Sequence, residues 1–278
     1  MSSVLEAKGK WNAGAAVDAP LRIEEDSSAD PRLLERRRAW DARPLTRALY
    51  CGYYQTIKEL RSHAPGIDLE IGAGHGGYAE YVPGTVATDL GVCPWLDCVA
   101  DAMHLPFRDG ALANLVLIDV LHHLDDPPAF LAEAQRALCE GGRILLVEPY
   151  VSPVSWIAWR FFHAEHIDGR VNPFADNGTG SHDWQGNPWD ANIAFPTLMF
   201  FRHLGSLRER FPRLRLVHRR RFDMLVMPLS GGFSKRRLIP RWMVPILSRI
   251  ERTARPLTPL LSFRCLVVLE KSGGTSEV

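Results

Sequence analysis

The stretch that decides the fold is Asp68-Leu-Glu-Ile-Gly-Ala-Gly-His-Gly-Gly77. Ile67–Ile71 is short and apolar, which is typical of a strand, and it stops at a cluster of glycines. Glycines after a strand let the backbone approach a ligand closely and leave amide groups available to bind it. The stretch therefore predicts a strand that ends in a ligand-binding loop.

Strands and helices alternate on the carboxyl side of this loop. A helical pattern begins at Asp126-Pro-Pro128, where Asp can cap the helix and proline suits its first turn, and Gly141-Gly142 is predicted to end it. The further strands are predicted at 85–88, 115–120 and 143–148. Short connections between alternating strands and helices predict an α/β fold with a parallel sheet.

The rest of the chain divides into segments of different composition. Residues 1–30 lack periodicity and are predicted to be disordered, and 31–150 form the predicted core domain. Residues 151–200 are an aromatic-rich insertion, predicted to form a lid, and 201–278 are predicted to complete the sheet and to carry a basic helical insertion. The elements predicted in these two parts are helices at 198–210 and 241–255 and strands at 214–222 and 263–270.

The glycine loop alone fits two kinds of cofactor. Gly72, Gly74 and Gly77 also satisfy the G-x-G-x-x-G fingerprint of nicotinamide oxidoreductases, and Asp89 could hold a ribose in either case. The segment that follows disfavours the oxidoreductase. Asp101-Ala-Met-His-Leu-Pro-Phe107 places a carboxylate after a third short strand, and Ile118-Asp-Val-Leu-His-His-Leu-Asp-Asp-Pro127 follows in order.

This ordered series, over about residues 66–150, resembles the class I S-adenosylmethionine-dependent methyltransferases. The resemblance is to the type 11 family around the ubiquinone and menaquinone methyltransferases. It implies a Rossmann-like, seven-stranded, mostly parallel sheet with helices on both faces. It also implies that the chain is a methyltransferase with S-adenosylmethionine as cofactor.

The resemblance assigns cofactor-binding roles to individual residues. Glu70 resembles the acid of the first family motif, Asp89 the acid that binds both ribose hydroxyls, and Asp101 the acid that receives the adenine amino group. The remaining positions are the loop around the methionine part, Leu90 beside the adenine, the backbone next to Asp101, and the carbonyl that faces the methionine amine: Gly72, Ala73, Gly74, Gly76, Leu90, Ala102, Met103 and Ile118. An acidic rim suits a sulfonium and an ammonium better than it suits a pyrophosphate.

Two positions depart from the family pattern. Only eleven residues separate Asp89 from Asp101, too few for the usual helix, so Cys93-Pro-Trp95 is predicted to form a tight loop that leaves the adenine side open. Asn114 stands where relatives have Asp, and we interpret this difference as structural.

Candidate catalytic residues lie where strands end. His123 and Glu148 could orient the acceptor or remove its proton, although His122-His123 also suits a packing role. His75 is expected to fill the glycine loop. Histidines and acids at His163, His166, His182 and Asp183 do not by spacing alone indicate a metal site, and no metal is predicted.

The net charge of +1 conceals a basic region. Residues 201–260 contain 15 Lys and Arg against 3 Asp and Glu. With the aromatic insertion, this composition favours a small-molecule, lipid-like or lipid-linked acceptor. A solvated basic face and a peripheral membrane contact are the other readings of the basic region. Nucleic acid is disfavoured as a partner because the chain has no Asn-Pro-Pro-Tyr motif, and the oligomeric state stays open. A cofactor-binding protein without catalysis, or a nucleic-acid methyltransferase, is the alternative function.

Two segments are predicted to pack inward. The apolar run at 156–162 is expected to be a pocket wall, together with Trp184 and Trp189, and the 241–255 helix is expected to turn its apolar side to the active-site mouth. No apolar run approaches the ~18–20 residues that span a bilayer. Five irregularly spaced cysteines favour reduced thiols, so a cytoplasmic protein, or one at the inner face of the membrane, is predicted.

Overall fold

The computed structural model describes residues 29–162, 166–175, 192–233 and 238–273. In these residues seven strands form one sheet in the order β3-β2-β1-β4-β5-β7-β6. The strands are β1 Ile67–Ile71, β2 Val86–Asp89, β3 Cys98–Val99, β4 Leu112–Ile118, β5 Leu138–Pro149, β6 Leu214–Phe222 and β7 Arg264–Lys271. All neighbours pair in parallel except β7, which is antiparallel to both β5 and β6. The predicted fold class is confirmed.

Helices cover both faces of this sheet. They are α1 Pro31–Ala42, α2 Pro44–Leu60, α3 Gly77–Tyr81, α4 Pro127–Ala137, α5 Pro153–Phe162, α6 Phe195–Thr197, α7 Leu204–Arg210, α8 Val226–Ser230, α9 Val244–Thr253 and α10 Thr258–Leu261. Tyr54 of α2 belongs to the core on the Val116 side of the sheet, and Phe130 of α4 to the core on the side of Leu115 and Leu117. The continuous apolar run of β4 is therefore explained by burial on both faces.

Capping residues begin two of the helices. Asp30 accepts a hydrogen bond from Arg32 N at 2.8 Å at the start of α1, and Asp126 accepts one from Ala129 N at 2.9 Å at the start of α4. Each helix has proline in its first turn, where no amide partner is lost. The predicted start of α4 at Asp126 thus has its expected geometry.

The predicted start of the fifth strand was wrong. Strand β5 begins at Leu138, so Gly141-Gly142 lies inside the strand and does not separate a helix from it. Gly141 has φ 73°, and the pairing with β4 shifts from Leu112↔Leu138 to Asn114↔Arg143. The glycines therefore form an irregularity that the strand passes through.

Two predicted helices are also divided. The 198–210 segment is a π-helical turn, Leu198–Arg202, followed by α7 after a break at His203. The 241–255 segment is a 3-10 turn, Arg241–Met243, followed by α9. Within the described part of the chain, no helix combines the length and apolar character needed to span a bilayer.

The inward packing predicted for the insertion and the basic helix holds for some of the described side chains, since Trp159 packs against Phe263 and Leu247 is buried, and is wrong for others. Trp156 and Phe161 of α5 are exposed, and Ser155 lies on the buried side of this helix. Trp242 and Ile246 are exposed too, and Leu247 is the residue of α9 that is buried. Residues 1–28, Trp184, Trp189 and the side chain of Phe162 lie outside the described residues.

Candidate active site

The carboxyl ends of the central strands meet at one edge of the sheet, which we call the carboxyl edge. Ile71 pairs with Thr88 on β2 and with Leu117 on β4, and Ile118 pairs with Val147 on β5. Ligands of open α/β sheets bind beyond this edge. The topology therefore brings together the predicted cofactor residues at the ends of β1, β2 and β4.

The glycine loop after β1 requires its glycines. Gly72, Gly74 and Gly76 all have positive φ, and Ala73 N donates to Thr88 O at 2.9 Å, which fixes the loop to β2. A Cβ atom on Gly72 would lie 2.5 Å from Val120 Cγ2, so no other residue fits there without movement. The loop is a tight, mostly buried turn between β1 and α3.

Asp89 lies at the end of β2 and faces the glycine loop. Its Oδ2 accepts from Gly74 N at 2.9 Å, and its Oδ1 accepts from Leu90 N at 2.8 Å. Each carboxylate oxygen can accept more than one hydrogen bond, so acceptor capacity for a pair of hydroxyls is left. Leu90 beside it is 60% exposed.

Asp101 lies close to Asp89 because the strands β2 and β3 are adjacent. Ala100 N donates to Asp89 O at 3.1 Å, one residue before Asp101. Asp101 Oδ1 accepts from Met103 N at 2.9 Å, and Oδ2 lies 3.1 Å from His104 Nδ1. These bonds orient the carboxylate and the backbone of Ala102, whose side chain is buried.

Glu70 is a buried carboxyl beneath the loop. Its Oε2 accepts from Ala79 N at 3.2 Å, near the start of α3. Burial raises the pKa of Glu70 to about 8, with Asp89 and Glu80 adding like charge. Ionising the buried Glu70 therefore costs free energy, and a neighbouring positive charge would lower that free-energy cost.

The 93–95 loop is covered, whereas Leu90 beside the predicted adenine position is exposed, so the openness of the adenine side stays a prediction. Residues 29–34 cover this loop: Asp30 N donates to Val92 O at 2.9 Å, and Leu33 packs against Cys93. Trp95 Nε1 donates to Gly74 O at 2.8 Å, so its ring lies against the glycine loop. The short connection leaves a gap that the start of α1 fills.

His75 packs in the loop, as expected. Its ring stacks on Trp40 with centroids 4.1 Å apart, and Arg37 Nη1 donates to its carbonyl at 2.8 Å. Burial, together with the positive charges of Arg37 and Arg36, lowers the pKa of His75 to about 3. The ring is therefore neutral at physiological pH and acts as part of an aromatic wall.

Glu148 is an anchor for the turn after β4. It is fully buried, and its Oε1 accepts from Val120 N at 2.9 Å and from Leu121 N at 2.8 Å. Its Oε2 lies 2.6 Å from His122 Nδ1. His123 is partly buried, with its ring 4.2 Å from that of His122. The geometry gives Glu148 a positioning contact through His122, and the direct catalytic role predicted for it stays a prediction.

Sequence reasoning missed a charged cluster that starts at Asp119, immediately after Ile118. Asp119 accepts from Tyr50 Oη at 2.6 Å and pairs with Arg264, while Tyr53 donates to Asp223. Burial alone would raise the pKa of Asp119, but Arg264 holds it below its ordinary value. Asp119 and Asp223 are the described non-glycine residues with positive φ, and such strain often marks functional sites.

Other features lie away from this edge or form structural contacts. Asn114 Nδ2 donates to Asp68 Oδ1 at 2.7 Å, which agrees with a structural role. A cleft of about 520 Å³ lies at the amino ends of the strands, beside Arg136 and Lys271. No group of three or more His, Cys, Asp or Glu that could hold a metal occurs among the described residues, which exclude His163, His182 and Asp183.

Comparison with known proteins adds a family match. Residues 69–146 match the family Methyltransf_11, described as a methyltransferase domain. No curated protein matches the chain. Similar solved structures include an S-adenosylmethionine-dependent methyltransferase from Archaeoglobus fulgidus, 14% identical over 81% of this chain and 94% of that chain, with a TM-score of 0.48.

Two further solved structures are similar at this distance. One is the geranyl diphosphate C-methyltransferase of Streptomyces coelicolor A3(2) with Mg²⁺, geranyl diphosphate and S-adenosyl-L-homocysteine, 14% identical over 81% of this chain and 80% of that chain, with a TM-score of 0.46. The other is the cyclase SpnF, 15% identical over 81% of each chain, with a TM-score of 0.44. Similarities this remote do not carry an acceptor from one protein to another. Because the family match spans the glycine loop and the strand ends that follow it, the chain is an S-adenosylmethionine-dependent methyltransferase with the class I fold.

Proposed function

We propose that the chain methylates an apolar, lipid-like or other small-molecule acceptor at the carboxyl edge. The observation that carries this proposal is an aromatic wall beside the glycine loop and Asp119. The ring of Phe233 lies 5.2 Å from Tyr50 and 5.5 Å from His75, and Trp40 stacks on His75. A wall of neutral rings excludes water and favours apolar ligands.

The residues at the strand ends fit the cofactor. S-adenosylmethionine supplies an electrophilic methyl group when it is bound. We assign the ribose hydroxyls to Asp89, the adenine amino group to Asp101, and the amine of the methionine part to Ile118 O. The loop of Gly72, Ala73, Gly74 and Gly76, with Leu90, Ala102 and Met103, completes the proposed contacts. Glu70 lies beneath them with its pKa raised to about 8, and the positive charge of the bound cofactor would favour its ionised form.

The cluster at Asp119 would set the electrostatics next to the methyl position. Asp119 is held ionised by Arg264, whereas burial and Asp119 raise the pKa of Tyr50 well above its ordinary value. Asp119 thus lies as a fixed negative charge one residue after Ile118. A carboxylate that stays ionised can stabilise a neighbouring cation, because it does not become protonated itself.

The acceptor would be oriented from the turn after β4. We propose that His123 contacts the acceptor and that Glu148 acts as a positioning residue, because its oxygens are engaged by backbone amides and His122. Enzymes of this kind mainly position and desolvate their reactants. A base is needed only when the attacking atom carries a proton.

A nucleic-acid acceptor is the weaker alternative. The arginine-rich strand β6 uses several of its guanidinium groups internally: Arg219 Nη1 donates to Phe200 O at 2.5 Å, and Arg215 pairs with Glu270 at 2.8 Å. Arg221 lies 4.5 Å from the ring of Phe201. These contacts reduce the number of arginines available for phosphates.

Transfer of a labelled methyl group tests the proposal. The purified chain would be incubated with radiolabelled S-adenosylmethionine and with extract divided into apolar and aqueous fractions. We expect label in the apolar fraction, and calorimetry should show binding of S-adenosylmethionine and none of NAD. Label found only in nucleic acid, or no transfer with the cofactor bound, would contradict the proposed acceptor class. A protein with the Asp89→Asn substitution serves as the binding-deficient control.

A further inference from the structure

Two helical segments at the carboxyl edge have large apolar side chains exposed to solvent. On α5 these are Trp156, Ile157 and Phe161, and in the α9 region they are Trp242, Ile246 and Ile250. We call these six residues the exposed apolar surface. Phe161 is 72% exposed and Trp242 is 69% exposed, so each has most of its ring in water. Large apolar side chains exposed in this number mark a surface that contacts another molecule or a membrane.

The two segments are linked through α10. This helix packs against α5, and α9 leads into it through the 3-10 turn Arg255–Leu257. Leu257 and Leu260 are exposed along the connection. The two exposed segments are therefore joined through α10.

The exposed apolar surface is additional to the core. The inward side of α5 has Ser155 buried, and Trp159 packs edge-on against Phe263 at 5.6 Å. The inward side of α9 has Leu247 in a cluster with Val226 and Ile239. Both helices already have a packed side, so their outward apolar residues are not needed to hold them in place.

The charges around this surface are positive. Arg160, Arg249, Arg252 and Arg255 are all exposed. Segments 153–162 and 238–262 contain a single acid, Glu251. Its Oε1 accepts from Met224 N, Leu225 N and Val226 N at 3.0, 2.6 and 2.9 Å, so it is turned inward at the start of α8. The outward charge is therefore that of the arginines.

We infer that the exposed apolar surface docks the enzyme onto an anionic lipid bilayer. Tryptophan suits the membrane–water interface, and arginine can keep its head group among anionic head groups while its stem stays apolar. A second copy of the chain is a poorer occupant, because a two-fold contact would bring these arginines against one another.

The docked orientation would serve the acceptor. Strand β5 ends at Pro149 and leads into α5, and Pro149 pairs with Arg264 at the start of β7. Segments α5 and α8–α10 thus leave the sheet at the edge where Ile118 and Asp89 lie. A lipid-like acceptor could pass from the bilayer to the site without crossing bulk water. This inference rests on the proposed acceptor class.

Vesicle flotation of the full chain tests the inference. Vesicles of phosphatidylcholine alone are compared with vesicles containing about one third phosphatidylglycerol. We expect the protein to float with the anionic vesicles. The double substitution Trp242→Glu and Ile246→Glu should abolish flotation. Arg249→Gln with Arg252→Gln should weaken it about tenfold or more at low salt, where charge is least screened.

Matched controls use exposed residues away from this surface. Val217→Glu alters an exposed apolar residue on β6, and Arg108→Gln with Arg208→Gln removes two exposed arginines near the amino ends of the strands. Flotation should be unchanged in both. Equal loss in these controls would overturn the inference, because net charge or general hydrophobicity would then explain binding.

Cofactor binding, measured by calorimetry on the same preparations, separates this inference from the proposed function. Cofactor binding and methyl transfer to a soluble acceptor, without flotation, would overturn membrane docking and leave the enzyme assignment standing. A dimer that Trp242→Glu converts to a monomer, with no flotation, would identify the surface as a self-interface and also overturn docking. Failure to bind cofactor would contradict the proposed function whatever the vesicles show.

Discussion

Asp89 shows how one side chain can serve both the loop and the cofactor. Its two oxygens already accept from Gly74 N and Leu90 N, which aims the carboxylate across the glycine loop. The same orientation leaves lone pairs toward the edge where a ribose would bind. These two hydrogen bonds hold the carboxylate in one orientation, so little side-chain freedom would be lost when it binds a ribose.

Asp89→Asn should lower S-adenosylmethionine affinity by about tenfold or more. A hydrogen bond to a charged group contributes ~1.5–3 kcal/mol, and asparagine retains one acceptor oxygen for the loop. Calorimetry on the folded variant measures the loss. Asp97→Asn is the matched control, since Asp97 accepts from Ala87 N at 2.8 Å on the same side of the sheet without a proposed cofactor contact. An unchanged affinity in Asp89→Asn would mean that another group binds the sugar.

Glu70 should make the cofactor-free protein less stable as pH rises. Burial raises its folded-state pKa from 4.5 to about 8, so the folded state binds more protons than the unfolded state between these values. The free energy of unfolding therefore falls with rising pH across this window. Glu70→Gln retains an acceptor for Ala79 N and removes the ionisation. We expect the variant to be the more stable protein above about pH 8, by about 1–3 kcal/mol, and to lose that advantage near pH 5.

Denaturant unfolding at several pH values measures this difference. The comparison isolates Glu70, because the other titrating groups are common to both proteins. Parallel stability curves for the two proteins from pH 5 to pH 9 would show that Glu70 ionises normally.

The motif residues could be predicted from sequence, whereas the charged cluster could not. Glu70, Asp89, Asp101 and Ile118 lie at or near the carboxyl ends of recognisable strands and form an ordered series. Asp119 was inside the quoted motif but had no assigned partner. Its partner Arg264 is 145 residues away along the chain, a distance at which local pattern carries no information.

At the scale of elements, this cluster joins two strand ends to the middle of a helix. Asp119 follows β4, Arg264 begins β7, and Tyr50 is in the middle of α2. Arg264 also lies 5.4 Å from the ring of Tyr50 and 5.2 Å from that of Tyr53. The guanidinium thus connects the helix to both strands at the carboxyl edge.

Arg264→Met should destabilise the fold by about 3 kcal/mol. It leaves the carboxylate of Asp119 without its cation in a largely buried place, and breaking a buried pair from one side costs ~3–5 kcal/mol. Adding Asp119→Asn should recover at least ~1 kcal/mol of that loss, because the unpaired charge is removed. Urea unfolding of the two single variants and the double variant completes the cycle.

Arg143→Met is the matched comparison for this cycle. Arg143 on β5 pairs with Glu270 on β7 at 2.7 Å, and both side chains are partly exposed. A partly exposed pair contributes about 1 kcal/mol or less. Equal losses for Arg143→Met and Arg264→Met, or additive effects in the cycle, would contradict a special role for the Asp119 cluster.

The boundaries of the elements were predicted correctly where the hydrophobic periodicity was strong. The predicted strand at Leu214–Phe222 was confirmed. Strand β5 was predicted too short because a glycine pair also suits a helix end, and its continuation depends on pairing with β4 and β7. The outward apolar faces of α5 and α9 could not be predicted, because an amphipathic helix does not itself indicate whether its apolar side meets core or lipid.

On the scale of the whole molecule, the sheet is completed by the C-terminal part. Strand β7 pairs with β5 from Arg143↔Glu270 to Pro149↔Arg264, and Lys271 Nζ donates to Leu138 O at 2.6 Å. The family match ends at 146 and the predicted core domain at 150. Both boundaries cut between strands that are paired along most of their length.

A fragment of residues 29–152 should therefore fail to fold as a stable monomer. It would expose the whole edge of β5, remove Arg264 from Asp119, and uncover Leu145 and Val147, which pack with Leu266 and Val268. We expect aggregation or non-cooperative thermal unfolding, and S-adenosylmethionine affinity lowered by at least tenfold, measured by size exclusion, circular dichroism and calorimetry. Adding the 195–278 piece in trans should recover part of the binding, since it carries β6 and β7 to the open edge. A monomeric fragment that unfolds cooperatively and binds the cofactor as tightly as the full chain would contradict this view, and the last two strands would then be an accessory layer rather than part of the folding unit.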